Sequence, residues 1–288
     1  MDQQPVCCYR HPDRETGIRC TRCNRPICPE CMVSAFVGFQ CRECAGQASA
    51  PHTRPRTVAG GTVAADPFLI TKILIGLNIA VFVLELAMGD RLVERLGLYA
   101  ICGNDITGQH VCIGVAQGPD QWYRVLTSAF VHENSGAPLH IAFNMLSLWW
   151  IGAPLERLLG RSRYLALYFV SAIAGSAAVL LLAPDSLTIG ASGAIWGLFG
   201  ATAVFVRRLR YDMRPILFLL ALNIVISFTW SGVSWQAHVG GLIGGTLVAL
   251  GLAYAPRERR DQVQWGTTAA VLVASLAVTA VAVAQVTS

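Results

Sequence analysis

Beyond about residue 67 the chain alternates between long apolar runs and shorter polar connections. Seven runs stand out, at about 68–88, 138–155, 164–183, 190–206, 213–229, 236–254 and 267–286. Each is near the roughly 17–25 residues that a helix rising ~1.5 Å per residue needs to cross a ~30 Å hydrocarbon core. Strand-like alternation is nearly absent, and lipid accepts only segments whose backbone polar groups are satisfied internally, so the spans are expected to be helices. The pattern predicts an all-α polytopic membrane protein with seven spans. Residues 1–44 are polar and Cys-rich and form a separate small module. Residues 45–67 (from Ala45 to Pro67) are Ala, Gly, Thr and Pro without aromatics, a composition that reads as a flexible linker. No basic stretch followed by an apolar one opens the chain, so no cleavable signal peptide is expected and the N-terminus is placed in the cytoplasm.

Composition agrees with this pattern. Of 288 residues 54% are hydrophobic and 14% charged, and soluble domains carry about twice that charge. The net charge of +5 is modest, but its placement is informative. With the N-terminus inside, the connections after the second, fourth and sixth helices carry Arg157, Arg161 and Arg163, then Arg207, Arg208, Arg210 and Arg214, then Arg257, Arg259 and Arg260. The opposite side carries Arg91, Arg95 and Arg124, all in the 89–137 loop, so the positive-inside rule places that loop outside. No internal repeat of the kind that builds inverted-repeat carriers is visible.

Strongly polar side chains within spans are costly, so each invites a functional explanation. His140 and Asn144 open the second helix, Ser192 the fourth and His238 the sixth, all on the outer side. A lone Ser in such a helix ordinarily bonds its own backbone. At a helix N-terminus its hydroxyl instead meets unpaired N–H groups and the positive end of the dipole, which favour a developing oxyanion. His238, entering from the same side, is a natural base for the Ser192 proton. His140 and Asn144 share one helix face at i, i+4 and can both donate to an oxyanion. Gly193 and Gly197 on one helix, and Gly240/Gly244 and Gly241/Gly245 on another, are spaced for close backbone approach.

Over residues 68–254 these features resemble the rhomboid intramembrane serine proteases. The H-x-x-x-N, G-x-S-G and A-H-x-x-G-x-x-x-G signatures are met by His140–Asn144, Gly190–Gly193 and Ala237–Gly245. The resemblance implies a six-helix rhomboid core plus a seventh C-terminal transmembrane helix, with the polar loop and that helix within 255–288. It implies a Ser192–His238 dyad without a third acid, an oxyanion hole from His140, Asn144 and the Ser192 N–H, and no catalytic cofactor. Trp196 occupies a position where the family places an aromatic against the base, although a Trp there could equally face lipid or core. The outer loop departs from the family, with Tyr123 where Trp is usual beside Arg124 and a longer stretch from Glu133 to Leu139.

The first module reads Cys8-x2-His11, Cys20-x2-Cys23, Cys28-x2-Cys31 and Cys41-x2-Cys44, with gaps of eight, four and nine residues. Four pairs supply two tetrahedral Zn2+ sites, and a reducing cytoplasm favours metal over disulfides. The spacing is similar to B-box zinc fingers, which implies interleaved sites of Cys8, His11, Cys28, Cys31 and of Cys20, Cys23, Cys41, Cys44. A sequential arrangement, or Cys7 in place of Cys8, is the alternative. A module this small needs the metal to fold, so the ions are structural. Its arginines are interleaved with acids and it has no base-reading helix, which disfavours nucleic acid and leaves a cytosolic protein partner as the expected role. Cys102 and Cys112, with nine residues between them in the outer loop, form either a disulfide or two free thiols.

The expected function is an intramembrane serine endopeptidase, a multi-pass hydrolase of the plasma membrane. It would cleave transmembrane protein substrates in or near their spans, with its site opening to the outer side. The alternative from another class is a non-proteolytic rhomboid-like protein that binds membrane clients. A transporter is a third, for which Asn78, Glu85 and Asn223 offer little and read as packing or interfacial residues.

Overall fold

The structure, a computed structural model, describes residues 6–35, 37–48, 56–133, 138–229 and 233–288. The chain divides into two compact units, Met1–Pro55 and Arg56–Ser288. In the first, β1 (Met32–Ser34) pairs antiparallel with β2 (Phe39–Cys41), which runs into α1 (Arg42–Ala48). The interior is made of Cys8, Cys20, Cys28, Cys31, Cys41 and Cys44 around Ile27, with Tyr9 and Met32 packed against them. Burial of so little aliphatic surface offsets little of the conformational entropy of a chain this long.

The second unit runs through α2 (Leu69–Met88), α3 (Asp90–Leu96), the hairpin β3 (Ala100–Asn104) and β4 (His110–Gly114), the short α4 (Arg124–Thr127) and α5 (Leu139–Ser147). A π-turn, Leu148–Gly152, continues α5 into α6 (Ala153–Leu159). Then follow α7 (Arg161–Leu182), α8 (Ser192–Arg208), α9 (Arg214–Thr229), α10 (Trp235–Tyr254) and α11 (Arg260–Thr287). Each of the seven apolar runs coincides with helix, the second of them built from α5, the π-turn and α6. By length and composition, Leu69–Met88, Arg161–Leu182, Trp235–Tyr254 and Arg257–Thr287 are able to cross a membrane.

The linker boundary read from composition differs from the structure. Residues 45–48 are the end of α1, 49–55 lie outside the described residues, and 56–67 belong to the helical unit. There a turn closed by an Arg56–Thr62 bridge is bonded into place: the Ala59 N–H donates to Leu158 O at 3.2 Å, Gln264 Nε2 donates to Ala59 O at 2.9 Å, and Arg161 donates to Asp66 O at 3.1 Å. Small residues permit this docking, since a Cβ on Gly61 would overlap the Leu159 carbonyl. Composition alone cannot distinguish a glycine-rich tether from a glycine-rich turn pressed against a helix end.

The start of α2 has no cap of its own, and Glu156 of α6 supplies one. Its carboxylate accepts from Ile70 N at 2.9 Å, Thr71 N at 2.8 Å and Thr71 Oγ1 at 2.8 Å. Where water is excluded, unpaired N–H groups at a helix start are costly, and an anion there also meets the positive dipole end. Arg163, at the start of α7, reaches Asp261 at 2.5 Å and Gln264 at 2.7 Å, tying α11 to α7. The outward faces of α2, α9 and α11 show Leu86, Phe218 and Val273, each more than 60% exposed, an apolar surface suited to lipid rather than water.

At the centre, α7, α8 and α10 pack on glycine. A Cβ on Gly241 would overlap the Gly193 carbonyl oxygen, one on Gly245 would overlap Gly197, and one on Gly175 would lie 2.8 Å from Ala237 O. The α8 and α10 backbones therefore touch directly. Gly241→Ala is expected to force these helices apart and cost about 1–3 kcal/mol of stability, the usual range for overpacking. Thermal unfolding of the detergent-solubilised protein would register it as a lowered Tm.

Candidate active site

The contact between α8 and α10 brings two short side chains together at one end. Ser192 is the first residue of α8 and His238 lies in the first turn of α10, where Ser234 caps the helix by accepting from the Ala237 N–H. Ser192 Oγ stands 2.8 Å from His238 Nε2. Trp196, one turn into α8, stacks on the imidazole at 4.9 Å between ring centroids and 17° between planes. The other ring nitrogen, Nδ1, meets Ser227 Oγ of α9 at 2.7 Å. Both His238 and Ser227 are buried. A hydroxyl within hydrogen-bond reach of a buried imidazole that is itself oriented on its far side is the arrangement of an activated nucleophile.

His140 and Asn144 of α5 face the turn that precedes Ser192. Gly190 there has φ +114°, and a Cβ on it would come within 2.9 Å of His140 Nε2 and 3.9 Å of Asn144 Nδ2. The Glu133 N–H donates to His140 Nδ1 at 3.4 Å, so the ring proton belongs on Nε2, the nitrogen nearest Gly190. Asn144 Nδ2 gives one N–H to His140 O at 3.0 Å and keeps another. These two side chains therefore gather at the Gly190 turn, two residues before Ser192, whose own N–H has no partner within its helix at this position.

Two further groups support this wall: Glu85, read from the sequence as a packing or interfacial residue, and His132, to which the sequence assigned no role. Glu85 of α2 accepts from the His132 N–H with both oxygens at 3.2 Å, and the His132 ring meets His140 edge-on at 5.2 Å. Burial, with the adjacent His140, holds His132 down to about 3, so it stands neutral beside the donors. Glu85 was visible as an acid in an apolar run, but its partner lies across a loop. Asn78 and Asn223 bond carbonyls of their own helices, Leu74 O at 2.7 Å and Leu219 O at 2.8 Å.

On the loop side, Cys102 and Cys112 face one another across the hairpin and are disulfide-bonded. Arg124 is buried, stacks on Tyr99 and Tyr123, and donates to Glu94 O at 2.6 Å and Gly97 O at 3.0 Å. Tyr123 donates its hydroxyl to Arg95 O at 3.1 Å. The departure from Trp at position 123 is thus accommodated by a polar tie to the end of α3. Of the lengthened stretch, residues 134–137 lie outside the described residues.

In the first unit the eight paired ligands gather into two clusters, Cys8, His11, Cys28, Cys31 and Cys20, Cys23, Cys41, Cys44, each within 4.8 Å. His11 Nδ1 lies 3.3 Å from Cys28 Sγ, 3.4 Å from Cys31 Sγ and 3.9 Å from Cys8 Sγ, and Cys23 and Cys41 sulfurs are 3.8 Å apart. A tetrahedral ion with bonds of about 2.0–2.3 Å requires donor separations of roughly 3.4–3.8 Å, so the residues fit a metal of that size. Burial pushes the Cys8 and Cys20 thiols up, but backbone N–H groups around them outweigh it and bring both down to about 6. Such thiolates are ready ligands.

The membrane unit is similar in sequence to known proteins. The Rhomboid domain profile matches residues 119–255. The chain is 35% identical over 162 residues to the candidate rhomboid protease YdcA of Bacillus subtilis, covering 54% of this chain and 77% of that one. It is 34% identical over 188 residues to the rhomboid protease GluP of the same organism, covering 63% of this chain but 34% of GluP. It is 28% identical over 224 residues to the rhomboid protease AarA of Providencia stuartii, covering 66% and 75%. The chain belongs to the rhomboid family of intramembrane serine proteases.

Because Gly190 combines a positive φ with contact to His140, Gly190→Ala is expected to strain the turn and displace the imidazole. A loss of about 1–3 kcal/mol in thermal unfolding would be the signature.

Proposed function

We propose that this protein hydrolyses peptide bonds in or beside transmembrane segments of other membrane proteins, with Ser192 as nucleophile and His238 as general base. The observation that carries this reading is the 2.8 Å approach of Ser192 Oγ to His238 Nε2 at the buried end of two touching helices. As Oγ attacks the scissile carbonyl carbon, its proton passes to Nε2. The carbonyl oxygen takes up the negative charge near the Ser192 N–H, His140 Nε2 and Asn144 Nδ2. Collapse breaks the C–N bond, and the Nε2 proton goes to the departing amine. Water then attacks the acyl carbon and gives a proton to Nε2, and collapse breaks the C–Oγ bond, releasing the acid as the Nε2 proton returns to Ser192 Oγ. Preorganised donors in a site shielded from bulk water stabilise the oxyanion without reorganising, and stacking on Trp196 favours the imidazolium formed in each step.

A peptide bond reaches Ser192 only as extended chain, so the substrates are spans with weak helices and small residues at the cut. The distribution of arginines supports a plasma-membrane protein with a cytoplasmic N-terminus and a site open to the outer side. In the first unit, Cys8, His11, Cys28 and Cys31 would hold one Zn2+ and Cys20, Cys23, Cys41 and Cys44 another. The ions replace the missing core and make the module a folded platform for a cytosolic partner.

The test is labelling of the detergent-solubilised protein with a fluorophosphonate probe. Wild type should label, Ser192→Ala and His238→Ala should not, and Asn144→Ala should label about 10²-fold more slowly, the usual cost of one oxyanion donor. Undiminished labelling of Ser192→Ala would end the mechanism, and absent labelling of folded wild type would favour client binding without proteolysis. Separately, metal analysis of the full-length protein should return about two zinc ions per chain, falling to about one in Cys31→Ser. A metal-free, folded wild type would contradict the zinc assignment.

A further inference from the structure

A serine–histidine pair works only if the imidazole presents a lone pair to the hydroxyl, and that requires its proton on the far nitrogen. Among the described residues no carboxylate bonds that nitrogen. His238 Nδ1 meets Ser227 Oγ at 2.7 Å, and Ser227 Oγ is also 2.7 Å from Asn223 O, the carbonyl one turn back in the same helix. Ser227 has one proton to give. If it pointed at Nδ1, two oxygens bearing lone pairs would face each other at 2.7 Å inside a buried site. The hydroxyl therefore donates to Asn223 O, the usual back-bond of a helical serine, and its oxygen is left to accept. The hydrogen that it accepts can come only from Nδ1.

We infer that Ser227 is a positioning residue that holds His238 in the Nδ1–H tautomer, through the chain Nδ1–H to Ser227 Oγ–H to Asn223 O, so that Nε2 is free to take the Ser192 proton. Two features make the device specific. Ser227 alone is buried among the described side chains of α9, whose neighbours Leu222, Ile224 and Val225 are exposed. It also lies in the last turn of α9, the negative end of the helix dipole, where the imidazolium formed when Nε2 accepts the proton is favoured. When that proton arrives, Nδ1–H remains bonded to Ser227 and no proton leaves the far side. A polar but neutral group thus does the orienting that a carboxylate does in a triad, without placing a charge among apolar helices.

The inference rests on Ser192 and His238 acting as nucleophile and base, and the experiment separates the two. Protein labelled with 15N-histidine, with the His238 signals assigned by difference from His238→Gln, should show a protonated Nδ1 and an unprotonated Nε2 in wild type. Ser227→Ala should lose that preference and Ser227→Thr, which keeps the hydroxyl, should retain it. With the fluorophosphonate probe, Ser227→Ala should lower the maximal labelling rate about tenfold, the worth of one hydrogen bond, with the half-saturating probe concentration unchanged and Ser227→Thr near wild type. A wild-type His238 carrying its proton on Nε2 would overturn the inference whether or not any variant folds, as would wild-type labelling kinetics in Ser227→Ala. Failure of Ser192→Ala to abolish labelling would strike the proposed mechanism and leave the tautomer to the spectrum.

Discussion

The membrane unit depends on direct backbone contact between α8 and α10. Serine and histidine are short, and two helices separated by ordinary side chains would hold Ser192 and His238 too far apart to share a proton. Gly193, Gly197, Gly241 and Gly245 remove the intervening side chains, so the helices meet carbonyl to Cα. In lipid this contact has no hydrophobic drive behind it and rests on packing alone. The glycines that let the helices fit also permit the Ser192–His238 hydrogen bond, so the packing surface and the candidate site are one.

Around that surface, polar groups are paired across elements because the bilayer offers no water to pair them. Glu156 closes the start of α2, Glu85 takes the His132 N–H, and Gln264 bridges Ala59 O and Leu252 O. Each of these ties joins segments distant in sequence. The Glu85 tie supports the wall that carries His140 beside Gly190. Ser227 belongs to the same economy of pairing, using a helix carbonyl to direct its own proton and so directing that of His238. The first unit meets the complementary difficulty of too little apolar surface by gathering thiols and an imidazole where a core would be.

Much of this was legible in the sequence for physical reasons. Hydrophobic length marked the helices because a bilayer has a set thickness, and polar residues at helix starts drew attention to Ser192, His238, His140 and Asn144 because such residues are costly there. The Cys-x2-Cys and Cys-x2-His pairs marked a candidate metal module, because ligands at that spacing can lie on one knuckle. The turn over 56–67 was not legible, since its glycines serve a close approach to Leu159 that composition cannot distinguish from looseness. Glu85 was visible as a packing or interfacial acid, but not its partner, which is 47 residues away across a hairpin and a loop.

By itself, then, the sequence determined the helical class, the separate Cys-rich module and the residue types able to do the chemistry, because these follow from local periodicity and spacing. Tertiary structure decided which of those residues meet. The Ser192–His238 distance, the Trp196 stack and the contact of Ser227 with Nδ1 arise between helices brought together by packing, and the grouping of the ligands arises from the turns and hairpin of the first unit. A serine in an apolar helix reads as a back-bonded serine in any sequence. Only the position of a neighbouring helix makes its oxygen the acceptor that orients a base.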